Sequence, residues 1–539
     1  MELAKNQEHT VTIEGYGEGG MGVARINGCV VFVHGALRGE KCRVLILKTL
    51  KNAAFAKAVE ILEPSDARIA PDCPYFPRCG GCTFRHMRYE EELRLKKQRV
   101  QDNLSRIGGS GAAVEEILGA QDTLRYRNKA QYPVSADGAV GFYRARTHEV
   151  IECRHCLLVR PEAEAAAEAL RGYMQACRVT GYDERTGRGL IRHLYVRSNA
   201  AGKSLICVLV NGGGLPEEEK LVALLRAACP ECVGIVLGTN TKKGNVILGD
   251  RYRTLWGEAW IEDTLCGRAF RLSVPSFYQV NRAQAERLYQ KAIEFAALTG
   301  KETVLDLYCG AGTITLAMAG HAGRVLGAEI VPEAVADARG NAARSGVQNA
   351  EFFCGDASDV AKKLAQEKLR PDVITVDPPR KGLAADVVES IAAMQPERVV
   401  YVSCDSATLA RDVKRFADLG YIAKRACAVD MFPRADHIET VCLLSKLQSK
   451  EHIEIEVKMD ELDLTSAESK ATYEEIKAYV LEHTGLKVSH LYIAQVKQKY
   501  GIIERENYNK PKSENAKQPQ CPPEKEKAIT EALRHFGMI

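Results

Sequence analysis

The sequence predicts an α/β protein whose largest part is a doubly wound parallel sheet, and three observations support this prediction. Strand-like and helix-like segments alternate from residue 281 to about residue 447, as in parallel sheets covered by helices. Short strands punctuated by glycine fill residues 1 to about 62. The 539 residues exceed a single core, since cores stop growing at about 250 to 300 residues. We therefore expect four units, at 1–62, 63–262, 263–447 and 452–539.

The first unit is expected to be a small β-barrel. Apolar and polar residues alternate in the segments VTIEG, CVVFVHG and CRVLILKTL, and glycines between Gly15 and Gly22 mark turns. Barrels of this kind, which are similar to the OB fold, often bind oligonucleotides. A barrel without a ligand is the alternative.

The second unit is predicted to be a mixed α/β region. Its first part contains a cysteine-rich loop and then a charged helix that ends at Gly108. Strand-like runs KAQYPVS, HLYVRS, SLICVLVNG and CVGIVLGTN follow, with the Ala-rich helix EAEAAAEALRGYM among them.

The third unit begins with a predicted helix over residues 281–299. It has Leu288, Ala292 and Phe295 on one face and Gly300 as its stop. The runs VLDLYC, VLGAEI, DVITVD, RVVYVSCD and TVCLLS then predict the strands of the parallel sheet.

The fourth unit is predicted to be a small helical extension. Thr472 as N-cap, Glu475 in a capping box and Gly485 as stop indicate one helix, and a second is expected from Ser489 to Tyr500. The stretch NYNKPKSENAKQPQCPP is typical of an extended linker.

The composition excludes some classes of protein. Lys plus Arg total 74 against 70 for Asp plus Glu, so the net charge of +4 permits an RNA partner without requiring one. There is no apolar run of about 18 residues and no apolar signal segment, so we expect a cytoplasmic, monomeric protein without membrane contact. The 18 cysteines would then be reduced, and some of them are expected to be ligands or nucleophiles.

A glycine turn in VLDLYCGAGTITL indicates a nucleotide site. Gly310 and Gly312 allow close backbone approach to a ligand, and the N-terminal amides of the next helix are free donors. Glu329, 19 residues after Gly310, ends the next strand, where a carboxylate accepts both ribose hydroxyls. The pattern resembles class I methyltransferases, which bind S-adenosylmethionine in this way. Thr315, at the third glycine position, disfavours a nicotinamide enzyme.

Three other strand ends carry reactive side chains. Asp377 leaves its strand into a Pro-Pro turn, Cys404 precedes a helix expected near Ala407, and Glu439 opens the last strand. Helix N-termini and cations lower thiol pKa values, so Cys404 suits a thiolate nucleophile. Glu439, or His437 before it, is the candidate proton acceptor. A buried structural thiol and a surface acid are the alternatives.

Five motifs together resemble the bacterial RNA uracil-C5 methyltransferases, which modify uridines of 23S rRNA or tRNA. The N-terminal barrel is similar to the TRAM domain of that family, so the resemblance extends to about residue 447. It implies a class I (Rossmann-like) methyltransferase domain, with 23S rRNA favoured over tRNA as the substrate. The motifs are SFYQVN (276–281), DLYCGAGT (306–313), DPPRKG (377–382), SCD with ATLARD (403–412) and DMFPRADHIE (430–439).

The resemblance also implies roles for individual residues. Cys404 would bond covalently to C6 of the uracil, and Glu439 would remove the proton from C5. The family usually has Asn-Pro after the nucleophile, whereas this chain has Asp405-Ser406. The residues expected to bind S-adenosylmethionine are Gln279, Tyr308, Glu329 and Asp377.

Two other functions remain as alternatives. A cytosine-C5 methyltransferase is disfavoured, because such enzymes have Cys after the Asp-Pro-Pro motif and this chain has Arg380. A non-catalytic RNA-binding protein on the same fold is the other alternative, and the presence of both Cys404 and Glu439 argues against it.

A cysteine cluster predicts a metal centre. Cys73, Cys79 and Cys82 form C-x5-C-x2-C, and three such thiolates need a fourth ligand, as iron-sulfur clusters do. Many members of the resembled family hold a [4Fe-4S] cluster with this spacing, and the resemblance favours Cys156 over Cys153 as the fourth ligand. The alternative is a zinc site made of two C-x2-C pairs, Cys79 with Cys82 and Cys229 with Cys232.

RNA binding is expected to present a single uridine to Cys404, because a stacked or paired base cannot reach that thiol. Basic side chains would contact the RNA backbone, although a solvated helix face is the alternative. The candidates are Arg85, Arg88, Lys96, Lys97 and Arg99, with Lys497, Lys499, Lys510 and Lys512 in the fourth unit.

Overall fold

The computed structural model describes residues 3–244, 246–447, 473–500, 521–536 and 538–539. These residues form two compact units, one up to residue 447 and one from residue 473. Among them, no helix has the length and apolar character needed to cross a bilayer.

Six strands form one sheet at the start of the first unit. They are β1 (Glu8–Thr12), β2 (Gly15–Tyr16), β3 (Gly22–Ile26), β4 (Cys29–His34), β5 (Lys41–Thr49) and β6 (Ala53–Glu63). Their order in the sheet is β1-β5-β6-β4-β3-β2. Alternate side chains such as Val31 and Val33, or Val44 and Ile46, are fully buried, as the two-residue period of a strand requires. They form the apolar interior of this part of the chain.

A mixed α/β region follows. Its elements are α1 (Tyr89–Arg106), β7 (Val114–Leu118), β8 (Lys129–Pro133), β9 (Gly141–Tyr143), β10 (Val150–Glu152), α2 (Pro161–Cys177), β11 (Ile191–Ser198), β12 (Ser204–Val210), α3 (Glu218–Ala228), β13 (Cys232–Thr239), β14 (Arg251–Gly257), β15 (Trp260–Leu265) and β16 (Arg268–Ser273). One sheet has the order β14-β13-β12-β11-β8. Its central strands β11 and β12 are buried along their whole length.

The largest sheet has eight strands, and helices flank them in sequence. The elements are α4 (Arg282–Ala296), β17 (Thr303–Leu307), α5 (Thr313–Ala319), β18 (Arg324–Glu329), α6 (Pro332–Arg344), β19 (Ala350–Cys354), α7 (Ala357–Gln366), β20 (Val373–Val376), α8 (Ala385–Met394), β21 (Arg398–Ser403), α9 (Ser406–Asp418), β22 (Tyr421–Val429) and β23 (Glu439–Lys446). The strand order is β19-β18-β17-β20-β21-β23-β22-β7, with β23 antiparallel to both neighbours. The predicted Rossmann-like fold is confirmed.

Two details of this sheet differ from the sequence-based expectation. β7, which lies in the predicted middle region, pairs with β22 and becomes the edge strand, and α1 packs against α9. The helix α4 ends before Ala297, whose left-handed φ of 47° closes it three residues ahead of Gly300. The amide of Ala297 donates to the carbonyls of Ile293 and Glu294, so the helix end is capped without glycine.

In its described residues, the second unit contains three helices, α10 (Tyr473–Thr484), α11 (His490–Lys499) and α12 (Pro523–His535). Ser489 caps α11 and Gly485 follows α10 with a φ of 70°, as predicted. Thr472 lies outside the described residues. The expectation of two helices missed α12, which begins where the predicted Pro-rich linker ends. Pro523 stands at the first helical turn, where proline is tolerated. The helices share a core that includes Ile476, Val480, Ile493, Ile529 and Leu533.

Candidate active site

The glycine turn after β17 reverses the chain tightly. Tyr308, Gly310 and Gly312 have positive φ values of 69°, 56° and 83°. Gly312 is the N-cap of α5, and a β-carbon there would lie 3.2 Å from that of Ala338 on α6. Glycine at this position therefore lets α5 begin close against α6.

Glu329 ends β18 beside this turn. Its carboxylate accepts hydrogen bonds from the amides of Gly310, at 3.1 Å, and Val331, at 2.9 Å. The next two side chains, Ile330 and Val331, are 59% and 46% exposed. A carboxylate next to open apolar side chains suits a ribose with an attached purine, because ligand pockets combine an apolar lining with a few polar groups. These residues fit the adenosine part of S-adenosylmethionine.

Asp306 is a buried acid that supports the same turn. Its carboxyl accepts hydrogen bonds from the hydroxyls of Thr315 on α5 and Thr375 on β20. Burial raises the pKa of Asp306 to about 7. The residue at the third glycine position, Thr315, thus joins α5 to the sheet. Asp306 belongs to the DLYCGAGT motif, but no role was predicted for it from the sequence.

Gln279 lies in the segment between β16 and α4 and is 7% exposed. Its carbonyl accepts a hydrogen bond from the amide side chain of Asn128 at 2.9 Å. Ser276, earlier in this segment, donates to Asp337 of α6 at 2.8 Å, so the segment lies against that helix. Phe277 between them is 66% exposed.

Parallel pairing aligns three of the predicted residues. Leu307 at the end of β17 lies opposite Ala328 of β18 and Val376 of β20. The next residue of each strand therefore comes to the carboxyl edge of the sheet, where ligands bind in open α/β folds. These residues are Tyr308, Glu329 and Asp377.

The antiparallel strand β23 brings Glu439 to Cys404. Ser403 of β21 lies opposite Thr440 of β23. Cys404 follows Ser403 and Glu439 precedes Thr440, so both come to the same end of this strand pair. The charge of Glu439 raises the pKa of the Cys404 thiol, which is consistent with this proximity.

The electrostatic environment here is acidic. Burial raises the pKa of Glu439 to about 8, with a further contribution from Asp377, while Arg380 acts in the opposite direction. Burial also raises the pKa of Asp377 to about 7. The pKa of Cys404 rises to about 11, through burial first and then Glu439 and Asp377. The sequence-based expectation of a lowered thiol pKa was wrong in direction, because these effects outweigh Arg380.

His437 lies at the rim of this site and is exposed. Its ring stands edge-on to Phe432 at a centroid distance of 5.7 Å, and Nη2 of Arg380 lies 3.4 Å from its Nε2. Loss of hydration and then the charge of Arg380 lower the pKa of His437. The imidazole is therefore neutral at pH 7 and is able to accept a proton.

Asp405, which stands where the resembled family has Asn, is the N-cap of α9. Its carboxylate accepts hydrogen bonds from the amides of Ala407 at 3.0 Å and Thr408 at 2.9 Å. The helix begins at Ser406, one residue before the predicted start. Since Asp and Asn are both favourable N-caps, the departure from the family pattern keeps the turn after Cys404.

Five cysteines line one cavity of about 70 Å³ next to the mixed α/β region. All five thiols are free. The apolar lining includes Phe142, and Arg85 and Arg127 supply positive charge. Cys156 raises the pKa values of both Cys79 and Cys82, so its sulfur lies near theirs. The five cysteines are Cys73, Cys79, Cys82, Cys153 and Cys156.

The zinc alternative is not supported by the structure. Cys229 and Cys232 are buried in an apolar cluster and do not line this cavity. The sulfur of Cys229 lies against the carbonyl of Glu162, and that of Cys232 against the carbonyl of Gly234. In the described part of the chain, no three His, Cys, Asp or Glu side chains are arranged to hold a single metal ion.

Several basic residues predicted to bind RNA have partners inside the protein. Arg85 is 2% exposed and donates to Asp72, and Lys96 is fully buried between Glu92 and Asp430. Those predictions were wrong, because both side chains already neutralise carboxylates. Three other candidates also have partners: Lys97 donates to the carbonyl of Glu115, Arg99 to Asp436, and Lys499 to Glu526. Lys497 is buried, whereas Arg88 is exposed. Lys510 and Lys512 lie outside the described residues.

Family models match two parts of the chain. Residues 253–447 match the model described as tRNA (Uracil-5-)-methyltransferase, and residues 3–59 match the TRAM domain. The second match covers the strand-rich start of the chain, and the first covers seven of the eight strands of the largest sheet, all except β7, with the Cys404 and Glu439 strand ends.

Similar proteins extend over the whole first unit. An uncharacterized RNA methyltransferase of Clostridium acetobutylicum is 39% identical over 452 residues, which are 83% of this chain and 98% of the relative. One of Halalkalibacterium halodurans is 42% identical over 445 residues, 82% and 97% of the two chains. The crystal structure of the Pyrococcus abyssi tRNA (uracil-54, C5)-methyltransferase with S-adenosyl-L-homocysteine matches at a TM-score of 0.67 and 26% identity, over 81% of this chain and 99% of that chain.

Proposed function

Because the chain belongs to the RNA uracil-5-methyltransferase family and is an S-adenosylmethionine-dependent RNA methyltransferase, we propose that it methylates C5 of a uridine through a covalent bond from Cys404. The observation that carries this proposal is the pairing of Ser403 with Thr440, which puts a thiol and a buried carboxyl together at the carboxyl edge of the sheet.

In the proposed reaction, Cys404 makes the uracil nucleophilic. Its sulfur bonds to C6, and the electrons of the C5–C6 double bond move toward the O4 carbonyl as an enolate. C5 then bonds to the methyl carbon, and that carbon's bond to the donor sulfur breaks with both electrons going to sulfur. Glu439 takes the proton from C5, the C5–C6 double bond forms again, and the Cys404 sulfur leaves with the electrons of the S–C6 bond.

The raised pKa values of Glu439 and Cys404 determine which protons these two groups must lose for the reaction to proceed. Glu439 has a pKa of about 8, so near neutral pH most of it is protonated, and the ionised carboxylate is the form that accepts the proton from C5. Cys404, with a pKa of about 11, must lose its proton on addition to the ring. Arg380 is the cation of this site that lowers the pKa of Cys404, and we assign it the stabilisation of the thiolate.

S-adenosylmethionine supplies the methyl group from a positively charged sulfur. We propose that Glu329 binds its ribose and that Ile330 lines its adenine, because this carboxylate and this open apolar side chain are adjacent. Tyr308, Gln279 and Asp377 complete the proposed set. The alignment of Tyr308 and Asp377 beside Glu329 supports the assignment.

The proposed substrate is a uridine of 23S rRNA, as the resemblance of the five motifs implies. A tRNA uridine is the second candidate, since the solved relative from Pyrococcus abyssi is a tRNA (uracil-54, C5)-methyltransferase. The strand-rich TRAM domain is expected to hold the RNA while the target base enters the site beside Cys404.

We also propose that the cysteine cavity holds a [4Fe-4S] cluster. The supporting observation is that these thiols, which are free, line one cavity, and thiolates are the ligands that iron-sulfur clusters use. The proposed ligands are Cys73, Cys79, Cys82 and Cys156, and the cluster would organise the loops that contribute them.

The function is tested by incubating the protein with labelled S-adenosylmethionine and with fragments of 23S rRNA or tRNA. The expected product is 5-methyluridine in a 23S rRNA fragment, identified by mass spectrometry of the nucleosides. If only the tRNA were methylated at C5 of a uridine, tRNA would replace 23S rRNA as the proposed substrate, and the proposed reaction would stand. Recovery of 5-methylcytidine, or of no methylated base, would contradict the proposal.

A further inference from the structure

The segment between β22 and β23, residues 430–438, contains His437 and leads directly into Glu439, and it is held by groups from other elements. Four consecutive carbonyls accept hydrogen bonds from outside the segment. Met431 accepts from Asn281 at 3.1 Å, Phe432 from Lys96 at 3.1 Å, Pro433 from Tyr126 at 3.0 Å, and Arg434 from the amides of Thr83 and Phe84 at 2.7 and 3.1 Å.

Arg99 on α1 makes the next contact along this segment, closer to Glu439 than the four carbonyls. Its guanidinium donates to the carboxylate of Asp436, at 2.5 Å, and to the backbone carbonyl of the same residue. Asp436 directly precedes His437 and stands three residues before Glu439. A two-point contact with side chain and backbone fixes both the position and the direction of the chain there.

The helix that carries Arg99 is itself anchored. Lys96, one turn earlier, is fully buried and donates to Glu92, Asp430 and the Phe432 carbonyl. Val100 on the same helix is fully buried in the core beneath β21 and α9. Arg99 is therefore mounted on a rigid element, which is what precise positioning of a reactive group requires.

We propose that Arg99 is a positioning residue, which holds Asp436 so that Glu439 meets the proton on C5. This inference rests on the proposed function. It assigns Arg99 to the reaction and removes it from the RNA-binding surface on which its charge alone would place it. Its side chain is 21% exposed, against 61% for Arg94 and 78% for Arg106 on the same helix.

The test is Arg99→Met, which keeps an unbranched apolar stem and removes the donors, with Arg106→Met as the matched control on the same helix. The expected result is a fall in kcat of about 10- to 100-fold, since a displacement of about 1 Å has effects of that size. The KM for RNA stays within about twofold, as expected for a loss confined to the reaction step. Methylated RNA bound covalently to Cys404 accumulates, because proton removal becomes the slow step.

Two further variants separate positioning from a general structural role. Arg99→Lys should recover part of kcat, because it restores one donor. Asp436→Asn removes the charge but keeps an acceptor oxygen and the backbone contact, so it should lower kcat by a smaller factor. The double variant should be no worse than Arg99→Met, which already removes both contacts.

The proposal is overturned if Arg99→Met raises the KM for RNA and leaves kcat unchanged, since Arg99 would then bind RNA. It is also overturned if Arg99→Met and Asp436→Asn both behave like Arg106→Met. Failure of the proposed function looks different, because the parent protein would then form no covalent bond from Cys404 to RNA at all.

Discussion

Cys404 and the cysteine cavity use the same side chain in opposite surroundings. Cys404 is a single thiol whose pKa is raised to about 11 by burial first and then by Glu439 and Asp377, while Arg380 acts in the opposite direction. The cavity brings five thiols together with Arg85 and Arg127 and has no acidic group in its lining. An isolated thiol among carboxyls is kept protonated until a substrate reaches it. Clustered thiols beside cations suit a positively charged metal centre that several thiolates bind together.

The difference shows that the role of a cysteine depends on its neighbours in space. Cys229 and Cys232 have the C-x2-C spacing of a metal site, yet each packs alone against a backbone carbonyl. Cys404 has no cysteine nearby in sequence, but the register of β21 and β23 gives it an acidic partner. The C-x5-C-x2-C cysteines therefore come together in one cavity whereas Cys229 and Cys232 do not join it, and Cys404 remains the proposed nucleophile.

The largest expected effect comes from Cys404→Ala. Without the sulfur, C6 of the uracil has no nucleophile, so turnover should fall by about 10⁴-fold or more. Methyl transfer from labelled S-adenosylmethionine measures this. Cys29→Ala, in the N-terminal sheet, is the control and should keep the parent rate. Comparable rates of methyl transfer for the two variants would show that Cys404 is no more important to the reaction than an ordinary thiol.

The second largest effect is expected at the cavity. Cys82→Ser should lower the iron content and change the absorption of the cluster, because a serine oxygen is a poorer ligand for this iron than a thiolate. Cys229→Ser should keep both, since Cys229 lies outside the cavity. Iron and acid-labile sulfide analysis checks this. Full iron content in Cys82→Ser, or zinc in the parent protein, would contradict the cluster assignment.

The third prediction concerns pH and stability at the acidic site. The pKa of Glu439 is raised to about 8 from 4.5, so its neutral form is favoured on folding. Its contribution to stability is fully present below about pH 4.5 and is lost as the pH rises through about 8. The glutamine of the Glu439→Gln variant cannot ionise. At about pH 9, the free energy of unfolding of this variant should therefore exceed that of the parent by roughly a few kcal/mol.

Urea denaturation at about pH 4, 7 and 9 measures this difference. Glu397→Gln is the control, because the carboxylate of Glu397 is 76% exposed and needs no burial of charge. A constant difference between Glu439→Gln and the parent across these pH values would show that Glu439 is not held neutral by the fold.

The smallest effect is expected at the cap beside the nucleophile. Asp405→Ala removes the side-chain acceptor of two amides at the start of α9 and should lower the free energy of unfolding by about 1 kcal/mol. Asp405→Asn keeps an acceptor oxygen and should lose much less. Thermal or urea unfolding compares them, and equal losses in both variants would mean that the cap is unimportant.

Much of the fold was predictable from local patterns. Alternation of strands and helices after Asn281 is strong, because buried parallel strands are nearly continuous apolar runs. The glycine turn and the strand ends at Asp377, Cys404 and Glu439 were also found, since function in this fold gathers at the carboxyl edge.

Other features depend on contacts between distant parts of the chain. The burial of Lys96 was missed because its partner Asp430 is 334 residues away. The edge strand β7 was missed because its partner β22 lies in another predicted unit. The raised pKa of Cys404 depends on the combined charges of Glu439, Asp377 and Arg380, which no local pattern gives.

The most direct test of the account is the covalent bond itself. RNA that contains 5-fluorouridine at the target position should trap the protein after methyl transfer. C5 then has a fluorine where uridine has a proton, and Glu439 cannot remove fluorine. Peptide mass spectrometry should then find the methylated fluorouracil nucleotide on Cys404. Attachment to another residue, or methylation of ordinary uridine by a protein that never forms this adduct, would contradict the account.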